Sequence, residues 1–118
     1  MIVQTDKTTT IETLSEIVAA FSKARGWNPS DRSTAISISI EAAELLEHFQ
    51  WDESQGRENA QDIQDELADV LIYCLRFATS RGIDVSTAIT SKMDKNAIKY
   101  PIGADYFERK TRARATVA

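Results

Sequence analysis

The chain has 118 residues, 42% of them hydrophobic, and a formal net charge of −4. That length suits one domain. The acidic balance argues against duplex nucleic acid as a partner, because the basic footprint is missing, and no apolar run approaches the roughly 18 to 20 residues of a membrane span. A single cysteine, Cys74, excludes an intrachain disulfide and fits a reducing compartment. The first residues carry neither the basic nor the apolar region of a signal peptide, so a cytoplasmic location is expected.

Four helices and almost no strand are predicted in chain order. Thr9, with Glu12 three residues on, resembles a capping box. Ile11, Leu14, Ile17, Val18 and Phe21 then keep a helical stripe that Gly26 ends. Asn28 to Asp31 form a loop around Pro29. The second helix starts between Ser30 and Thr34. Its opening run, Thr34 to Ile40, alternates like a strand. However, Ile38, Ala42, Leu45 and Phe49 continue at helical spacing through a strongly helix-forming segment. Asp52 to Gly56 is the next break.

A third helix covers Asn59 to Ser80, with Ile63, Leu67, Val70, Leu71, Cys74 and Ala78 as its stripe and Gly82 as its stop. Asp84 caps a fourth, which runs to about Lys99, turns Val85, Ala88, Ile89 and Met93 inward and is stopped by Pro101. The expected architecture is a single all-α domain over 1–118, a four-helix bundle with its core at about 9–101 and a loose tail over 102–118.

The chemistry lies in two acidic pairs, Glu41-Ala-Ala-Glu44 and Glu66-Leu-Ala-Asp69. Residues i and i+3 share a helix face. On a wheel of about 100° per residue, each pair borders the apolar stripe of its own helix, with His48 beside the first and Asp62 and Tyr73 beside the second. Antiparallel packing of the two stripes brings four carboxylates together, and a hard divalent cation, most simply Mg²⁺, relieves their repulsion. The plainer reading, that they are solvated boundary residues of a bundle, remains open on spacing alone. Lys92, Asn96 and Lys99 fall at i, i+4, i+7 on one face of the fourth helix and suit phosphate; a solvated lysine face is the alternative. Trp27 and Trp51 each adjoin a loop and are candidates for stacking on a base, or else core residues.

Three blocks are specific together: Ser39 to Trp51 ending in Phe49-Gln50-Trp51, Asp65 to Tyr73, and Lys92 to Pro101. In this order they resemble the MazG-type nucleoside triphosphate pyrophosphohydrolases of the all-α NTP pyrophosphatase group. The resemblance spans about Phe21 to Pro101. It implies that Glu41, Glu44, Glu66 and Asp69 hold Mg²⁺, with Mn²⁺ as the alternative. It also implies that Glu41 or Glu66 accepts the proton of the attacking water. Trp51, Trp27, Lys92, Asn96, Lys99 and Tyr100 would then bind substrate. The implied reaction splits a (d)NTP between the α and β phosphates into monophosphate and pyrophosphate, in a homodimer or a dimer of dimers, without polymeric nucleic acid or membrane. Two rival classes are a di-iron bundle and a non-catalytic helical interaction module. A di-iron site requires Glu-x-x-His, and Leu45 stands three residues before the only histidine, His48. A third alternative is an enzyme of the same superfamily that acts on another substrate, such as dUTP or phosphoribosyl-ATP.

Overall fold

A computed structural model describes residues 3–51 and 60–103. Four helices follow in order, α1 (Ile11–Ala24), α2 (Asp31–Glu47), α3 (Ala60–Arg81) and α4 (Val85–Lys99), with no strand among the described residues. The all-α expectation is met. The chain divides into two compact units, Met1–Val85, which contains α1 to α3, and Ser86–Ala118, which contains nearly all of α4.

Local chemistry explains the helix ends. Thr10, not Thr9, is the N-cap of α1; its hydroxyl accepts from the Thr13 backbone N–H at 3.1 Å. Thr9 instead donates to the Gln4 side chain. Two hydroxyls within reach of one helix start are indistinguishable to a capping rule, and the extended backbone at Thr10 (φ −88°, ψ 161°) decides between them. At the other end, Gly26 has φ +67°. There the N–H groups of Gly26 and Trp27 bond back to the carbonyls of Lys23 and Ser22, a Schellman turn that only glycine enters without strain. Gly82 (φ +65°) closes α3 in the same way, with Ile83 bonded to the Ala78 carbonyl at 2.9 Å. Ser30 caps α2 through the Ser33 N–H, and the Thr34 hydroxyl bonds the Ser30 carbonyl.

Inside the first unit, α2 packs along α3, and α1 packs on α3. The α2–α3 pair is antiparallel. Asp31, at the start of α2, accepts 2.5 Å from the Ser80 hydroxyl and 3.2 Å from the Arg81 guanidinium at the end of α3. The Ser80 bond first, then Arg81, holds the Asp31 carboxyl below its ordinary range. This contact marks the register of the pair.

Little apolar surface is covered. Ala78, 7% exposed, is the buried hydrophobic residue of the described chain, while Leu67, Leu71, Ile72, Ile40 and Phe21 stay exposed. On α4, Ile89 and Met93 were expected to face inward but are 53% and 61% exposed. Periodicity identifies an apolar face but not the element that covers it. No helix among the described residues is long and apolar enough to cross a membrane.

Candidate active site

The site is assembled by the α2–α3 register. Asp31 lies opposite Ser80, and ten residues along α2 from Asp31 is Glu41, while eleven residues back along α3 from Ser80 is Asp69. One turn further, Glu44 reaches Glu66. In this register the acidic pairs face each other about 15 Å from the Asp31 contact, at a rise of 1.5 Å per residue. Glu41, Glu66 and Asp69 each offer a carboxylate oxygen within 4.8 Å of the others. Glu44 lies within hydrogen-bond reach of both Glu41 and Glu66 and links the set.

The electrostatics are those of an uncompensated cluster. Burial raises the Glu41 carboxyl to about 7, with the Glu44 hydrogen bond and the charges of Glu44, Asp69 and Glu66 adding to it. Glu66 is raised for the same reasons, burial first, and His48 partly offsets the rise. His48 is the C-cap residue of α2 and sits beside the carboxylates as a neighbouring charge. One oxygen of Glu41 and one of Glu66, Oε2 in each, is shielded from solvent without a hydrogen-bond partner. A shielded acceptor without a donor is costly. Two of them aimed into one acidic cluster fit a hard cation. Ligands on one Mg²⁺ at about 2.1 Å stand at most about 4.2 Å apart, so small side-chain shifts bring these oxygens onto one ion.

A cavity of about 320 Å³ begins at Asp69 and runs between α1 and α3, past Tyr73, Ile72 and Phe21 to Trp27 and Arg76. Trp27 reaches it because the Gly26 turn folds the chain back. Its ring meets Phe21 edge-on, with centroids 5.8 Å apart and 65° between planes. Arg25 closes the outside of this pair, with its guanidinium 3.4 Å from the Phe21 ring centre. Neither tryptophan is a core residue: Trp27 is 52% exposed and Trp51 80%. Trp51 is the last described residue after α2, and the loop expected at 52–56 lies outside the described residues.

On α4, Lys92 and Lys99 are exposed and Asn96 is half-buried. Lys99 Nζ lies 5.3 Å from the Tyr100 ring centre, and the Tyr100 N–H bonds the Asn96 carbonyl at 2.7 Å. These four residues belong to the second unit. Of the residues expected at the site, the first unit brings together the four carboxylates and places Trp27 on the cavity that Asp69 opens. Sequence reasoning missed Arg76. The signal was available in its spacing, seven residues from Asp69 and three from Tyr73 on the same helix face.

Comparison with known proteins agrees with this geometry. The chain is 36% identical to human dCTP pyrophosphatase 1 over 102 residues and 35% identical to the bovine protein over 103. These alignments take in 78% and 79% of the chain but 59% and 60% of the relatives, so the chain spans about three-fifths of their length. A crystal structure of a pyrophosphatase from Archaeoglobus fulgidus superposes with a TM-score of 0.74 at 36% identity, covering 86% of this chain and 99% of that one. Residues 36–112 match the MazG-like family. That match covers more than half of the chain and includes all four carboxylates, and the chain belongs to the MazG-like family.

Proposed function

We propose that the protein hydrolyses deoxynucleoside triphosphates at the α–β phosphoanhydride, releasing a monophosphate and pyrophosphate, with Mg²⁺ held by Glu41, Glu44, Glu66 and Asp69. The carrying observation is the convergence of Glu41, Glu66 and Asp69, the last of which also lines a cavity walled by aromatic side chains. The relatives are named as dCTP pyrophosphatases, which makes dCTP the first substrate to test.

The chemistry follows from the residues. When bound, a divalent cation neutralises phosphate charge and favours an ionised nucleophile. Glu41 and Glu66 are the two groups suited to take the proton of the attacking water. Both carboxyls are raised in the metal-free cluster, Glu41 to about 7, and a bound cation would lower them again, leaving them ionised as a proton acceptor requires. Lys92, Asn96 and Lys99 supply cationic and amide donors for phosphate oxygens. Trp27 and Trp51 provide aromatic faces for the base.

A homo-oligomer, as a dimer or a dimer of dimers in the cytoplasm, completes the proposal. The exposed Leu67, Leu71 and Ile72 give α3 an apolar face of the kind that a second copy would cover. The non-catalytic alternative leaves four clustered carboxylates and two orphaned oxygens unexplained. Pyrophosphate release from a panel of dNTPs, with Mg²⁺ and with chelator, tests the proposal. Release that depends on the metal and disappears in Asp69→Asn is expected; release that persists in either control overturns the assignment of the site.

A further inference from the structure

Arg76 is not needed for the metal cluster or the fold described above, yet it occupies a particular place. It lies on the same face of α3 as Asp69 and Tyr73, at i+7 and i+4 from the aspartate, and all three line the 320 Å³ cavity. Its half-buried side chain holds the guanidinium 5.5 Å from the Tyr73 ring centre. It also lines a second cavity, of about 490 Å³, and shares both cavities with Trp27, Val18 and Ser22. Among the described residues no carboxylate is paired with it; the ion pair found there is that of Arg81 with Asp31.

We propose that Arg76 reads the nucleobase, and that it favours bases presenting two adjacent hydrogen-bond acceptors. This rests on the nucleotide reading given above. With phosphates at the carboxylates, the ribose and base extend from Asp69 past Tyr73, and Arg76 stands about 10 Å further along the helix axis. The surroundings there are Phe21, Trp27, Ile72 and Tyr73, which suit a flat aromatic base and not a polyphosphate. A guanidinium has five donors and no acceptor, in a planar fork. Cytosine offers N3 and O2 side by side, and guanine offers N7 and O6. Adenine and thymine offer no such pair: adenine N1 and N7 and both thymine carbonyls each have an N–H beside them, which the fork meets with an N–H facing an N–H, and adenine N3 stands alone. A stacked base is held whatever its identity, and of the side chains lining this cavity Arg76 is the one that presents a planar fork of donors.

The test uses the full chain with Mg²⁺, α,β-imido analogues of the four dNTPs by calorimetry, and kcat and KM for the four dNTPs. Wild type is expected to favour the cytosine and guanine nucleotides over the other two by about 5- to 100-fold, the scale of a good bidentate contact. Arg76→Met, which keeps the packing stem, should bring the four within about threefold, with the loss in Kd and KM and little change in kcat. Arg76→Lys, which keeps the charge without the fork, should also lose most of the preference. A substrate-side arm needs no variant: the 2-pyrimidinone deoxynucleotide keeps N3 and O2 without the amine and should bind within about threefold of dCTP. Equal weakening of all four bases in Arg76→Met would make Arg76 a phosphate contact and overturn the proposal, as would an unchanged ranking. Failure of wild type to bind any nucleotide overturns the nucleotide reading, and this inference with it; binding with no Arg76-dependent ranking overturns only the latter.

Discussion

Neutralising Asp69 should stabilise the metal-free protein and remove its response to Mg²⁺. Asp69 is exposed, and a carboxylate oxygen of Asp69 lies within 4.8 Å of one from Glu41. Two full charges at that separation repel by about 1 kcal/mol at the dielectric of water and by about 3.5 at an effective constant near 20. The exposure of Asp69, together with the partly protonated state of Glu41, places the relief in Asp69→Asn near the lower figure, about 1 kcal/mol. For a chain of this size that is about 3 to 5 °C in Tm. The assay is thermal unfolding at fixed protein concentration and pH 7.5, in chelator and in millimolar Mg²⁺. Wild type should gain Tm on adding Mg²⁺, because an ion bound only by the folded state stabilises it. The variant should begin higher in chelator and gain little. A variant that melts below wild type in chelator, or that gains as much from Mg²⁺, refutes the reading of these carboxylates as an uncompensated cation site.

Three further outcomes follow from the same structure. The raised carboxyls of Glu41 and Glu66 bind protons more tightly folded than unfolded, so their contribution to metal-free stability is fully present below the ordinary carboxylate range and is lost as pH rises through about 7. Tm between pH 5 and 8 in chelator should show that fall, and Mg²⁺ should flatten it; a rise with pH would contradict it. Light scattering at micromolar concentration should give at least twice the 13.2 kDa chain mass, whereas a monomer would leave the apolar face of α3 without its proposed cover. Trp51→Ala should raise KM about tenfold for every accepted nucleotide without reordering them, since stacking is worth about 1–3 kcal/mol per base; an unchanged KM would remove Trp51 from the site.

The helices and the carboxylates were legible because both rest on short-range spacing. Glu41, Glu44, Glu66 and Asp69 sit at i, i+3 beside apolar stripes, and the antiparallel pairing that joins them follows from two helices linked by a short break. The register was not legible. It shows in Asp31 meeting Ser80 and Arg81 across 49 and 50 residues, and nothing local in any of the three marks that contact. Arg76 was missed for a related reason. Its meaning comes from Trp27, which reaches the same cavity only because Gly26 turns the chain back. The misplaced cap at Thr9 and the inward faces expected for Ile89 and Met93 share a cause: a local pattern offers a surface or a hydroxyl, and tertiary context decides which one is used.

The central claim is cleavage between the α and β phosphates at the carboxylate cluster, and phosphorus NMR of dCTP turnover tests it most directly. With Mg²⁺ and wild-type protein, dCMP and pyrophosphate should appear together in equal amounts, and Asp69→Asn should slow both by at least about 10²-fold, the scale for losing a key electrostatic or acid–base group. Successive release of orthophosphate with dCDP as an intermediate, or equal pyrophosphate production by Asp69→Asn, would contradict it.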